Sequence, residues 1–230
     1  TDSPGHALLG SQKAGWEVSV EGFEGLGSGP ARALVAEEEA FRAIAYTDAF
    51  DLTVLTVESD ALPTSAVAAH VADRADVSPE GVYLPAYRTA SIAGSVSGAA
   101  RAAELAVFRL FELGYDPTDV VAASGSAPVP PVAEDEETAM GRTNDAVVYG
   151  GQVHLAVRED DEVLEDLAST AADEYGIPFR DIFEEVDWDV GRLDQGIYAP
   201  AQITVDVLGG PVYADGAIHE DVLAESFGFE

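Results

Sequence analysis

The chain has 230 residues, with 11 Lys and Arg against 43 Asp and Glu, and a formal charge of -32 at pH 7. That charge excludes nucleic acid and anionic membrane surfaces as partners, because both are repelled over the distances at which electrostatic steering acts. With 47% hydrophobic residues and a mean hydropathy of +0.05, the chain is a globular protein with an acidic coat, and its single Lys (Lys13) among arginines suits a high-salt cytoplasm.

Along the chain, a helix is expected over 5–15, then the alternating strand WEVSV, then a loop GFEGLGSGP. Pro30 suits the first turn of a helix over 31–45. DLTVLTVE (51–58) and GVYLPAY (81–87) read as buried strands, each followed by a helical pattern. A helix is expected over 95–113 and a strand at DVVAA (119–123). The long Pro, Gly and acid-rich segment after it is too extended for a mere connector. Two strands flank Gly150 and Gly151, two more flank Gly209 to Pro211, and helices are expected near 162–175 and 220–227. The expected fold is α/β (α+β), as two α/β domains over 1–123 and 124–230.

There is no cysteine, which removes disulfides, thiolate nucleophiles and thiolate metal sites together. The four histidines, His6, His70, His154 and His219, show no metal-ligand spacing, so no metal site is expected. No run approaches the roughly 18 apolar residues of a membrane span, and the first residues lack a signal-peptide pattern, so the expected location is cytoplasmic. The chain opens on Thr1 without Met, and its true start is expected upstream.

On so acidic a chain, stretches free of carboxylates mark core, subunit interface or ligand surface. In GLGSGPARA, the glycines around Ser28 (Gly25, Gly27 and Gly29) precede a proline-started helix. Its exposed N–H groups make it either an anion site or an ordinary tight turn. In AMGRTND, Arg142, Thr143, Asn144 and Asp145 set donors and an acceptor in a row beside a glycine; the alternative is a turn capped by Asn144 and Asp145. In SGAARAAELAVFRL, Arg101 and Glu104 share one helix face within reach of each other. An exposed pair there contributes only tenths of a kcal/mol. A buried one is poor evidence for stability, but it sets a carboxylate between desolvation and a guanidinium, a balance suited to general-base work. Spacing alone leaves structure and function both open.

The strings SQKAGWEV, GSGPARAL, RTASIAGSV, GSAPVPPVAEDEETAMGRTNDAVVYGG, DEYGIPFRDIFEEVDWD, YAPAQITV and DVLAESFG follow one another along the whole chain. In them the chain closely resembles the methenyltetrahydromethanopterin cyclohydrolases, archaeal enzymes of one-carbon metabolism. The resemblance implies two α/β domains with the active-site pocket between them, a homotrimer, no metal or redox cofactor, and a family N-terminal region lying before Thr1. It implies reversible hydrolysis of a methenyl-tetrahydromethanopterin cation to 5-formyl-tetrahydromethanopterin, a pterin substrate. The family's Arg-x-x-Glu pair matches Arg101 and Glu104, with Glu104 activating water and Arg101 orienting it. Lys13, Gly27, Ser28, Gly29, Arg142, Asn144 and Asp145 are the candidate substrate contacts. The same chemistry on a tetrahydrofolate carrier, or a non-catalytic pterin-binding scaffold, are the alternatives.

Overall fold

The computed structural model describes residues 1–188 and 192–229. The chain opens with α1 (Pro4–Ala7) and a π-helical turn over Leu8–Gln12, shorter than the helix expected over 5–15 because strand β1 (Ala14–Val20) starts at Ala14. In β1 Trp16 and Val18 face inward, the alternation that WEVSV announces. A tight turn at Glu21 and Gly22, both at positive φ, folds β1 back onto β2 (Phe23–Ser28).

The glycine-rich loop of the sequence reading is therefore a strand. Its glycines serve close packing: a Cβ on Gly27 would stand 2.9 Å from Leu55 Cδ1, and one on Gly25 2.5 Å from Val57 Cγ1. Its expected free N–H groups are also used, since the Gly29 N–H donates to the Ser11 carbonyl at 2.7 Å.

The helix expected over 31–45 is two pieces, α2 (Ala31–Val35) and α3 (Glu39–Ala43), parted where Ala36 turns left-handed at φ 50°. Residues 51–58 split into β3 (Thr53–Val54) and β4 (Thr56–Glu58), and residues 81–87 into β5 (Val82–Tyr83) and β6 (Ala86–Tyr87). The pattern reads as buried strands, yet Leu52 and Tyr83 are exposed. β3 and β5 pair in parallel as a small sheet, while β4 and β6 extend the first hairpin into the order β1-β2-β4-β6. Between them runs α4 (Ser65–Ala75). The Thr64 hydroxyl caps it at the Val67 N–H, and its buried Val67 and Val71 pack with Trp16, Val18, Leu55 and Val57.

The helix expected over 95–113 is also broken, into α5 (Ile92–Ala99) and α6 (Ala102–Glu112), with Arg101 at the joint. Strand β7 (Val120–Ser126) follows, and position 124 lies inside it. The acid-rich segment then becomes α7 (Glu136–Val148), capped by the Asp135 carboxylate on the Thr138 N–H. GRTND is therefore helix, not turn. Strand β8 (Gln152–Val157) lies after Gly150 and Gly151, as expected, whereas DAVVY before them is the end of α7. β9 (Gln202–Val207) and β10 (Val212–Gly216) form the expected hairpin around Gly209. The second sheet has the order β10-β9-β8-β7, with β8 and β9 parallel.

Where a helix was expected near 162–175 there are only single turns, Glu162–Glu165 and Ser169–Ala171. A helix the sequence reading did not expect, α8 (Phe179–Glu185), starts after Pro178, and α9 (Glu220–Phe227) closes the chain where foreseen. Asp189, the end of one string quoted above, lies outside the described residues.

The main core sets Leu105, Ala106 and Leu110 of α6 against Val153, Leu155, Ile203 and Val205 of the second sheet. An aromatic cluster of Tyr149, Phe179 and Phe183 joins α7, α8 and α9. The α/β expectation holds. Among the described residues no helix is long and apolar enough to cross a membrane, and no group of three His, Cys, Asp or Glu residues is placed to hold a metal ion.

Candidate active site

A cavity of about 410 Å³ opens between the first sheet and helices α5 to α8, with walls drawn from residues on both sides of position 124. The sheet wall is a row across three strands. Leu26 pairs with Glu58 and Glu58 with Tyr87 in register, and Thr89 lies just beyond. Glu58 and Tyr87 end parallel strands that lead toward helices, a place where α/β folds gather ligand-binding groups. The second wall follows one stripe of α5 and α6: Gly94, Gly98, Arg101 and Leu105. The third is one stripe of α7, with Met140, Thr143, Asn144 and Val147 at the i, i+3, i+4, i+7 spacing of a single helix face. Phe183 of α8 and Tyr198 close the end.

Arg101 sits where α5 ends and α6 begins, so its side chain leaves the helical stack toward the cavity while its backbone carbonyl still accepts from the Leu105 N–H at 2.9 Å. The Arg101 Nε donates to Glu104 Oε2 at 2.7 Å. Glu104 is 0% exposed and stands behind the cavity wall rather than on it. Its second oxygen, Oε1, is buried with no hydrogen-bond partner among the described residues. A buried carboxylate oxygen left unmatched costs about 1–3 kcal/mol or more, so this atom calls for a water or ligand donor. Burial works to lower the Arg101 pKa, but the charge and hydrogen bond of Glu104, with Glu58 and Tyr87 adding to them, hold the guanidinium above its ordinary range. Burial and then the Glu58 charge push the Tyr87 hydroxyl up to about 12, so it remains a proton donor at neutral pH.

The sequence-expected contacts divide. Arg101, Thr143 and Asn144 line the cavity, with the Asn144 amide donating to the Met140 carbonyl at 2.9 Å. Arg142 and Asp145 lie on the other side of α7, because helical periodicity parts neighbours that a loop would have kept together. The Arg142 Nε donates to the Ser226 carbonyl, and Asp145 accepts from the Phe179 N–H and the Ser226 hydroxyl. Lys13 pairs with Glu38 at 3.3 Å and caps the Phe108 ring, apart from the cavity. Burial works to raise the Glu38 pKa, but Arg32, which donates a hydrogen bond to each of its carboxylate oxygens, and Lys13 hold it below the carboxylate range. Gly27, Ser28 and Gly29 lie in or after β2 and are not among the lining residues, although Leu26 beside them is.

Glu58, Tyr87 and Thr89 were not foreseen. The available signal was an acidic and an aromatic residue ending two consecutive apolar strands.

The family model described as Cyclohydrolase (MCH) matches residues 1–227. The chain belongs to that family. A Halobacterium salinarum protein named methenyltetrahydromethanopterin cyclohydrolase is 61% identical over 227 residues, covering 99% of this chain and 73% of its own length. Proteins of the same name from Methanothermobacter marburgensis and Methanocella arvoryzae are each 42% identical, covering 99% and 100% of this chain and 74% of their own lengths. The chain thus spans about three quarters of these cyclohydrolase relatives.

Proposed function

We propose that this chain catalyses the reversible hydrolysis of the methenyl-tetrahydromethanopterin cation to 5-formyl-tetrahydromethanopterin, with Glu104 as the general base and Arg101 as its orienting partner. The observation that carries the residue assignment is the pairing of cavity-lining Arg101 with fully buried Glu104, one carboxylate oxygen of which has no hydrogen-bond partner among the described residues. The relatives' names support the substrate and the reaction.

The methenyl carbon bridges two nitrogens and shares their positive charge, so an oriented water suffices as nucleophile. Water held at Glu104 Oε1 forms a C–O bond to that carbon while the carboxylate takes one of its protons. Glu104 then gives this proton to the leaving nitrogen as the C–N bond breaks with its electron pair. The hydroxyl proton of the adduct passes back to Glu104 and on to solvent, leaving the formyl product and one released proton. Arg101 holds the carboxylate in place and faces the oxygen that bears developing charge. This chemistry asks for no electrophilic metal or redox cofactor. The enzyme is proposed to act in the cytoplasm as a homotrimer, which sedimentation at high salt tests.

The test is Glu104→Gln, which keeps the shape and the Arg101 hydrogen bond but removes the base. Hydrolysis, followed by loss of methenyl absorbance at molar salt, is expected to fall about 10²- to 10⁴-fold with KM less affected. Near-native turnover in a variant that melts like the parent returns Glu104 to the role of a structural partner for Arg101. Running both carriers in the same assay separates tetrahydromethanopterin from tetrahydrofolate.

A further inference from the structure

The cavity holds a carboxylate that the hydrolytic step does not use. Of the acidic residues on its surface, Asp60 and Glu136 are both held by Arg88, at 3.0 and 3.2 Å, and Glu136 also accepts from the Ala90 N–H. Glu58 forms no ion pair among the described residues. Its Oε1 accepts from the Thr89 hydroxyl and its Oε2 from the more distant Tyr87 hydroxyl at 3.5 Å. Arg101 feels the Glu58 charge across the cavity but bonds to Glu104 instead. Two hydroxyls fix the carboxylate and still leave it capacity for two more donors, since its two oxygens offer about four lone-pair sites. Glu58 is also the middle of a rigid row, paired with Leu26 on one side and Tyr87 on the other.

A carboxylate held this way matches a ligand edge carrying two parallel N–H groups, because a fork of donors meets both oxygens at once. The 2-amino-4-oxo-pyrimidine half of a pterin carries such an edge, formed by the ring N3–H and the 2-amino group. We propose that Glu58 recognises this edge and is a specificity-determining residue of the site, with Tyr87 and Thr89 positioning its carboxylate. The assignment rests on the cyclohydrolase reading of the cavity. Since the edge is common to substrate and product, Glu58 binds both alike and leaves the chemical step to the opposite wall.

The test compares 6-methylpterin with 6-methyllumazine, which carries a 2-oxo group in place of the 2-amino group and so turns an acceptor toward the carboxylate. Binding is read by pteridine fluorescence at molar salt. The parent protein is expected to favour the pterin about 10- to 100-fold, and Glu58→Gln to remove most of that preference. Glu58→Asp, which withdraws the carboxylate by one methylene, is expected to weaken it partway and serves if the Gln variant does not fold. In turnover assays, Glu58→Gln is expected to raise KM for the methenyl cation and weaken binding of the formyl product by similar factors, with kcat little changed. Full discrimination retained in both variants overturns the proposal. So does a loss confined to the methenyl cation, which would make Glu58 a partner of the cationic carbon. Pterin preference without any methenyl hydrolysis keeps Glu58 and overturns the cyclohydrolase reading; hydrolysis without pterin preference does the reverse.

Discussion

Asp145 illustrates how one buried side chain ties the cavity wall to the rest of the molecule. It is 1% exposed, accepts from the Phe179 N–H at 2.9 Å and the Ser226 hydroxyl at 2.5 Å, and so ties the last turns of α7 and α9 to the start of α8. Burial drives its pKa up, the two hydrogen bonds oppose this, and the charges of Asp181 and Glu225 add to the rise, giving about 7 against an ordinary 3.8. Arg142, on the same helix, gives its Nε to the Ser226 carbonyl and forms no ion pair with Asp145. Because the folded pKa lies above the unfolded one, this group's stabilising contribution is complete below pH 3.8 and is lost as pH rises through 7. Unfolding free energy is expected to drop across that window by an amount on the order of a few kcal/mol. Asp145→Asn, with no proton to lose, is expected to flatten that part of the curve. Denaturant titrations at constant molar salt from pH 4 to 8 decide it, and parallel curves for parent and variant would remove Asp145 as the source.

Packing between helices α5 and α7 sets the width of the cavity. Gly98 is what lets them approach, since a Cβ there would lie 2.7 Å from Thr143 Cβ. Gly98→Ala is expected to push α7 outward, cost about 1–3 kcal/mol and raise KM. An unchanged melting temperature and KM would show that the two helices have slack. Contacts of this kind explain which parts of the structure could be foretold. Alternating WEVSV, the hairpin at Gly209 and the capped C-terminal helix depend on local pattern, and the structure has them. The Arg101–Glu104 pair also follows from helical spacing and forms as expected. The glycines of GLGSG read as loop because local chemistry says nothing of the Leu55 and Val57 side chains that need their missing Cβ atoms. GRTND reads as a row of ligand contacts or a capped turn for the same reason, and the row groups Arg142 and Asp145 with Asn144, whereas the helix turns them to opposite sides. Glu58 and Tyr87 meet only through strand pairing across 29 positions, which no local signal reports.

For the molecule as a whole, the formal charge of -32 must be accommodated on one fold. Some carboxylates serve local needs, such as Glu136 and Glu137 in the first turn of α7 and Glu220 and Asp221 in that of α9, where the helix dipole favours negative charge. Elsewhere carboxylates crowd each other. Residues 159–162 read EDDE, Glu165 and Asp166 follow, and all six carboxylates are exposed. Their mutual repulsion reaches about 30 Å at 0.01 M salt but only about 3 Å at 1 M, so the acidic coat is tolerable in brine and destabilising in dilute buffer. The melting temperature is therefore expected to fall steeply as salt is diluted from 1 M to 0.01 M. A general effect of hydration would give the same trend, so the charge itself has to be varied. The triple variant Glu159→Gln, Glu162→Gln, Glu165→Gln removes three charges while sparing Asp160 and Asp161, which accept from the Tyr213 hydroxyl and the Val163 N–H. If repulsion governs the salt requirement, this variant should fold at a lower salt midpoint than the parent and match it at 1 M, where screening has already removed the difference. Coincident salt titrations for the two proteins would assign the requirement to ion binding or hydration instead of to net charge.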